Sequence, residues 1–430
     1  MRKIFSLLFL LLGLFAEQDL QVYLPTKKNL KPIYVSKLHS DSKGAEDLYS
    51  VFLCDFERNG IHSVAPYRKE WEEQAWSREF DYGFWNSEKI SACLAAEVSN
   101  GRFFVTSFCD GKSNRASIKI TGDNEKDRKA IHGLADRVLK ELTGVEGIAS
   151  QRIIFSERVK GGESEWLSTI WISDWDGANA KRLTTSKGYC MSPGFLPFGG
   201  YYFVSTEQGQ SKIYRHNFSD ESPELWISLR GNQVLPAVSR DGTQIAYITD
   251  LAGRPDLFIQ SINRMGKELG MPRQLFSYPR ATQASPTFSP DGSKIAFVSN
   301  KDGSAKIYMM EIPDPKAKKT PHPKMLTKKN RENTAPVWSP DGKRLAYSAR
   351  SDGVRQIWIY EFSTGEEWQL TVGNENKENP SWAPDSLHLV YNTETDDVSE
   401  LFVIDLNRQE PYQITSGYGQ KRFASWEIMR

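Results

Sequence analysis

The chain has 430 residues, with 55 lysines and arginines against 54 aspartates and glutamates, a formal charge of +1. That length exceeds one compact core and fits two domains, and the balanced charge excludes nucleic-acid or membrane recruitment by an overall basic field. A hydrophobic share of 39% with 12 Trp and 17 Tyr predicts a globular protein with a large β portion.

Met1-Arg2-Lys3 precedes an apolar run from Ile4 to Phe15, short of the roughly 20 residues that a membrane-spanning helix requires. The pattern is that of a cleaved secretory signal, residues 1–16. No later run is apolar enough to enter a bilayer, so a soluble exported chain is expected. Residues 17–148 read as an α/β domain. Strands are predicted at Leu20–Leu24, Pro32–Leu38 and Ile61–Ala65, a helix at Ala45–Arg58, and a hairpin from Arg102 to Thr121 around Asp110-Gly111. The strongest helix is Asn124–Thr143, with Ile131, Leu134, Ala135, Val138, Leu139 and Leu142 on one face, Asp123 as N-cap and Gly144 as its stop. Cys54, Cys93, Cys109 and Cys190 are too few to staple the fold. Most read as buried thiols, with one bridge inside the first domain left open.

Residues 149–430 repeat one phrase. Ser285-Pro286-Thr287-Phe288-Ser289-Pro290-Asp291-Gly292-Ser293-Lys294-Ile295-Ala296-Phe297 returns as Ala335-Pro336-Val337-Trp338-Ser339-Pro340-Asp341-Gly342-Lys343-Arg344-Leu345-Ala346-Tyr347, with looser copies elsewhere. The anchors at 193, 236, 286, 336, 380 and 424 stand 43 to 50 residues apart, the length of a four-stranded propeller blade. Each unit parses as an inner strand, a Pro-Asp-Gly turn, an apolar second strand, a third such as Ile307-Tyr308-Met309, and a short fourth such as Gln369-Leu370-Thr371. Six such units predict a six-bladed β-propeller. Its first apolar strand, from Arg152, lacks an inner neighbour, and the final Phe423–Glu427 lacks a successor, so the two complete one blade and close the ring.

Catalytic signatures are missing. There is no GxSxG elbow, no HExxH helix and no CxxC, and the six histidines are scattered. Gly111-Lys112-Ser113 reads as a hairpin turn rather than a phosphate loop. Asp174-Trp175-Asp176-Gly177-Ala178-Asn179 has oxygen ligands suited to Ca2+, yet Asp and Asn beside Gly are equally the residues of a tight turn, which is the reading adopted. The recurring Asp291 and Asp341 likewise serve turns on separate blades. Pro315 to Lys329, rich in lysine and proline, reads as a solvated loop. No cofactor or metal is expected, and the chain reads as a non-enzymatic, monomeric scaffold. A propeller binding a small ligand or glycan in its channel stays open as an alternative. A peptidase-associated propeller would need a catalytic domain beyond Arg430.

The SPDGSKIAF-type repeat, preceded by an α/β domain and a signal, resembles the TolB family of the Tol-Pal system of Gram-negative bacteria. The junction Leu142-Thr143-Gly144-Val145-Glu146-Gly147-Ile148-Ala149-Ser150-Gln151-Arg152-Ile153 and the phrase Asp174-Trp175-Asp176-Gly177 followed by Arg182-Leu183-Thr184 are similar to that family. The resemblance implies a periplasmic adaptor that binds the peptidoglycan-associated lipoprotein Pal through its propeller and the inner-membrane protein TolA through its N-terminal region, supporting outer-membrane integrity and division. Pro193–Pro197 lacks the Ser-Pro-Asp-Gly turn, Ala424 replaces the usual Pro, and Glu17–Leu24 departs from the family's TolA-binding stretch.

Blade geometry predicts where a partner docks. Inter-blade loops and loops joining second to third strands emerge on one side, the Asp-Gly turns on the other. The candidate partner-binding residues on the first side are Asn232, Gln233, Arg254, Arg280, Gln283, Ser285, Lys301, Arg331, Asn333, Arg355, Lys377 and Asn379.

Overall fold

A computed structural model describes residues 30–41, 44–161, 166–185, 188–314, 316, 321–395 and 397–428. The predicted signal sequence, the strand predicted at Leu20–Leu24 and part of the lysine-rich stretch Pro315 to Lys329 lie outside them.

The first domain is a six-stranded sheet covered on both faces. Its strands are β1 (Lys31–Val35), β2 (His39–Ser40), β3 (His62–Val64), β4 (Ala92–Ser99), β5 (Arg102–Cys109) and β6 (Lys112–Lys119). β1 lies parallel between β3 and β4, β2 pairs in parallel with the end of β4, and β4, β5 and β6 continue as an antiparallel meander. The helices are α1 (Ala45–Glu57), α2 (Lys69–Ala75), α3 (Tyr82–Ser87) and α4 (Asn124–Thr143). Because side chains alternate across a strand, Ile33, Leu94 and Ala96 meet Phe52 and Phe56 of α1 and Ile131, Leu134 and Val138 of α4. Their neighbours Tyr34 and Cys93 point the other way, into Trp71 of α2 and Trp85 of α3. α4 begins where Asp123 accepts from the Lys126 amide at 3.2 Å and ends on Gly144, whose φ of 73° is left-handed. None of the four cysteines forms a disulfide, which removes the bridge left open for the first domain.

The second domain is a six-bladed propeller of four-stranded antiparallel sheets. Its inner strands are Cys190–Phe195, Gln233–Val238, Gln283–Phe288, Asn333–Trp338, Asn376–Trp382 and Gln420–Trp426, belonging to blades 1 to 6. In blades 3 and 4 the predicted turn chemistry is present. Asp291 accepts from the Ser289 hydroxyl at 2.5 Å and the Ser293 amide at 3.1 Å, and Asp341 repeats both bonds with Ser339 and Lys343. These bonds hold the Asp291 carboxyl down at about 2, so the turn brace is charged at neutral pH. Blade 6 closes the ring: Gln420–Trp426 pairs antiparallel with Arg152–Lys160, Trp426 opposite Ile153, and Arg152 grips Glu427 through two bonds of 2.8 and 2.6 Å.

Every inner strand also carries a β-bulge that the repeat did not reveal. The register shifts just before or at the anchor in all six blades. At each shift a non-glycine residue adopts a left-handed φ: Ser192, Leu235, Ser285, Ala335, Asn379 and Phe423, all between 46° and 52°. Such a conformation costs on the order of 1 kcal/mol per residue. A bulge re-aims its strand and strengthens the local twist, and here six of them ring the channel.

Candidate functional site: the two faces of the propeller

Antiparallel pairing sends the first and third turns of each blade to one side and the second turn and inter-blade loop to the other. The first domain docks on the turn side, over blades 5 and 6. Asn407, in the third turn of blade 5, donates to Gly60 O at 2.7 Å, and Arg408 donates to His62 O. Arg58 stacks 3.9 Å over the Tyr412 ring. In blade 6, Trp175 donates its indole N–H to Asp55 at 3.0 Å, Arg128 of α4 meets Asp176 at 2.6 Å, and Lys181 meets Glu125 at 2.6 Å. The Asp174–Asn179 segment is therefore a turn, as expected. Gly177 is required there: at its φ of 86° an added Cβ would lie 1.7 Å from Ile414 O.

Of the three buried histidines in this joint, His62, His132 and His388, two pair with a carboxylate. His132 Nδ1 bonds both Asp55 oxygens, at 2.9 and 3.0 Å. Burial pushes the Asp55 carboxyl up to about 6, opposed by the imidazole, while Asp55 holds His132 above its ordinary value against burial. His388 bonds Asp385 Oδ2 at 2.6 Å through Nδ1 and Arg58 O at 2.9 Å through Nε2. A carboxylate and a carbonyl both accept, so both ring nitrogens donate and the ring is an imidazolium. Burial disfavours both charges, but the pairing wins, raising His388 and lowering Asp385. His388 then contributes stability that is complete below about pH 6.5 and lost as pH rises through its raised value, while Asp385 contributes stability lost as pH falls below about 3.8. The pair is thus strongest between those limits. His388→Gln, which keeps a donor for Arg58, is expected to flatten the fall in melting temperature from pH 6.5 to 9; an unchanged pH profile would remove His388 from the joint's proton balance.

The inter-blade side is where the twelve predicted residues fall, but the structure divides them. Gln233, Gln283, Asn333 and Lys377 are buried, a correction to their reading as contact residues. All four stand three residues before the anchor, together with the equally buried Cys190 and Lys421, and this register faces the gap between blades. Three of the four hold the preceding loop with their polar ends: Gln233 Nε2 donates to Leu229 O at 2.8 Å, Asn333 Nδ2 to Asn330 O at 3.0 Å, and Lys377 Nζ to Glu375 O at 3.2 Å. Asn232 is tied to Asp250 by two bonds of 2.7 Å, and Ser285 and Asn379 are bulge residues. Arg254 pairs with Asp256, Lys301 with Asp302, and Arg355 with Glu332 and Glu378. Arg280 and Arg331 are the two exposed members. The sequence reading missed the apolar rim on the same side. Leu251, Tyr278, Val372 and Tyr418 are 44%, 43%, 77% and 63% exposed. Apolar residues inside polar inter-blade loops, such as Tyr418 between Gly417 and Gly419, were the available signal.

Between the faces runs a channel with a cavity of about 350 Å³, walled by the six bulged strands. Arg240 reaches from the first turn of blade 2 to Pro340 O of blade 4, at 3.0 Å.

This repeat architecture has known counterparts. Residues 139–430 match the family model described as the TolB beta propeller domain. The chain belongs to the TolB propeller family. A "Protein TolB homolog" of Protochlamydia amoebophila is 38% identical over 286 residues, 62% of this chain and 61% of that protein. One from Chlamydia trachomatis is 34% identical over 285 residues, 64% of this chain and 62% of that protein. The matched part thus spans under two thirds of these TolB relatives. TolB from Acinetobacter baumannii shares the fold, with a TM-score of 0.76 at 21% identity over 94% of this chain and 98% of that one. Among the described residues, no helix is long and apolar enough to cross a membrane.

Proposed function

We propose that this protein is a non-enzymatic periplasmic adaptor of the Tol-Pal system, binding a Pal-like lipoprotein on the inter-blade side of its propeller and a TolA-like protein through its N-terminal region. The carrying observation is the division of faces. The turn side is partly covered by the first domain, whereas the loops of the inter-blade side present Arg280 and Arg331 together with Leu251, Tyr278, Val372 and Tyr418. Aromatic and arginine anchors on a rigid rim are the composition that concentrates binding energy. Family membership supports the choice of partner. By holding an outer-membrane lipoprotein and an inner-membrane protein at separate parts of one rigid chain, the adaptor would serve envelope integrity and division.

The test is capture of purified Pal-like lipoprotein by the full chain. Arg280→Glu combined with Arg331→Glu is expected to weaken capture at least about tenfold, with Lys343→Glu on the turn side as control. Loss in the control with capture intact in the loop variant would place the binding face on the wrong side.

A further inference from the structure

We propose that His132, Asp174 and Asp176 form a divalent-cation site, suited to Zn2+, that bridges the two domains. His132 lies on α4 of the first domain, while both aspartates lie at the third turn of blade 6, and one ligand atom from each falls within 4.8 Å of the others. The histidine supplies the independent observation. It is 1% exposed, its Nδ1 is spent on Asp55, and its Nε2 makes no hydrogen bond. That nitrogen points at Asp176 Oδ2 from 3.9 Å, too far for a hydrogen bond but a span that one ion, at about 2.0–2.2 Å from each donor, can bridge. A carboxylate on the remote ring nitrogen is how metal-ligating histidines are oriented. His388 shows the contrast, since both its nitrogens are partnered.

Charge favours the same assignment. Asp55, Asp174 and Asp176 bring three carboxylates to the imidazole, and Arg128 brings one guanidinium, on Asp176. A divalent ion balances the remainder. Asp174 Oδ2 already accepts from Asn179 at 2.7 Å and Asp176 Oδ1 from the Ala178 amide at 3.1 Å, which fixes both carboxylates while leaving lone pairs on each. One imidazole and two carboxylates suit Zn2+ with a water as fourth ligand. With ligands from both domains, the ion would fasten them together.

The experiment strips the full chain with a chelator and titrates it with Zn2+ alone, following heat by calorimetry, and with Co2+, following its absorption. One saturable site, tetrahedral Co2+ bands displaced by Zn2+, and a raised melting temperature are expected. Asp174→Asn, which leaves the Asp55–His132 and Arg128–Asp176 bonds in place, should weaken Zn2+ binding at least about tenfold with the metal-free melting temperature nearly unchanged. No saturable binding would overturn the site. So would binding unaffected by both Asp174→Asn and His132→Ala, which would assign the ion to an exposed histidine such as His39 or His322.

Discussion

Truncation before Phe423 is expected to abolish the cooperative unfolding of the propeller, an effect far out of proportion to the few residues removed. The lost segment contains buried Ala424 and Trp426 and the Glu427 partner of Arg152. Burying an indole removes roughly 200 Å² from water, worth about 5 kcal/mol at about 25 cal/mol per Å², comparable with the lower end of the ~5–15 kcal/mol net stability of a domain. Loss of the strand also uncovers the inner edge of Arg152–Lys160 and leaves the ring unsealed between blades 5 and 1. Circular dichroism melts with light scattering would read this as a broadened, aggregating transition. A truncated chain that melts sharply within a few degrees of the parent would show that the ring does not depend on this strand.

Asp55→Ala is expected to uncouple the two domains. Asp55 is buried and accepts from both His132 and Trp175, so its removal strands an imidazole and an indole N–H away from water. Breaking a buried, charge-assisted set by deleting one partner costs about 3–5 kcal/mol. Trp175→Phe deletes only one donor and leaves the ring packed, and about 1–2 kcal/mol is expected. Scanning calorimetry should show the first domain melting ahead of the propeller in Asp55→Ala and a single, slightly lowered transition in Trp175→Phe. Equal, small shifts in both variants would mean that apolar packing, not this polar joint, holds the domains together.

Legibility followed the range of the interactions involved. The blade count, the closing strand and the Asp-Gly turns could be read because each is encoded locally: Pro and Gly at fixed offsets, alternating strands, and one phrase recurring at blade length. Helix α4 could be read to its end residues because Asp123 and Gly144 cap it. β4, with Cys93 and Leu94 facing opposite layers, is covered on both sides and has little polar alternation, so it escaped notice. The short α2 and α3 are set by Trp71 and Trp85 packing on Tyr34, a contact no local pattern announces. Among the candidate residues, side could be inferred from connectivity, but burial could not. Arg331, in an inter-blade loop, and Asn333, the first residue of the next inner strand, stand two residues apart, one exposed and the other sealed between blades.

By itself, then, the sequence determined a six-bladed propeller preceded by an α/β domain, with turns on one side and variable loops on the other. Hydrogen bonds within four or five residues and strand periodicity carry that information. Only the tertiary structure decided that the first domain covers blades 5 and 6 and that α4 brings His132 to a turn some forty residues later in the chain. It also decided that the anchor of every blade follows a left-handed bulge. The reason is physical: docking joins groups such as Asp55 and Trp175, or Arg58 and His388, whose separation in the chain leaves no periodic trace, and burial depends on what the neighbouring blade places opposite each side chain.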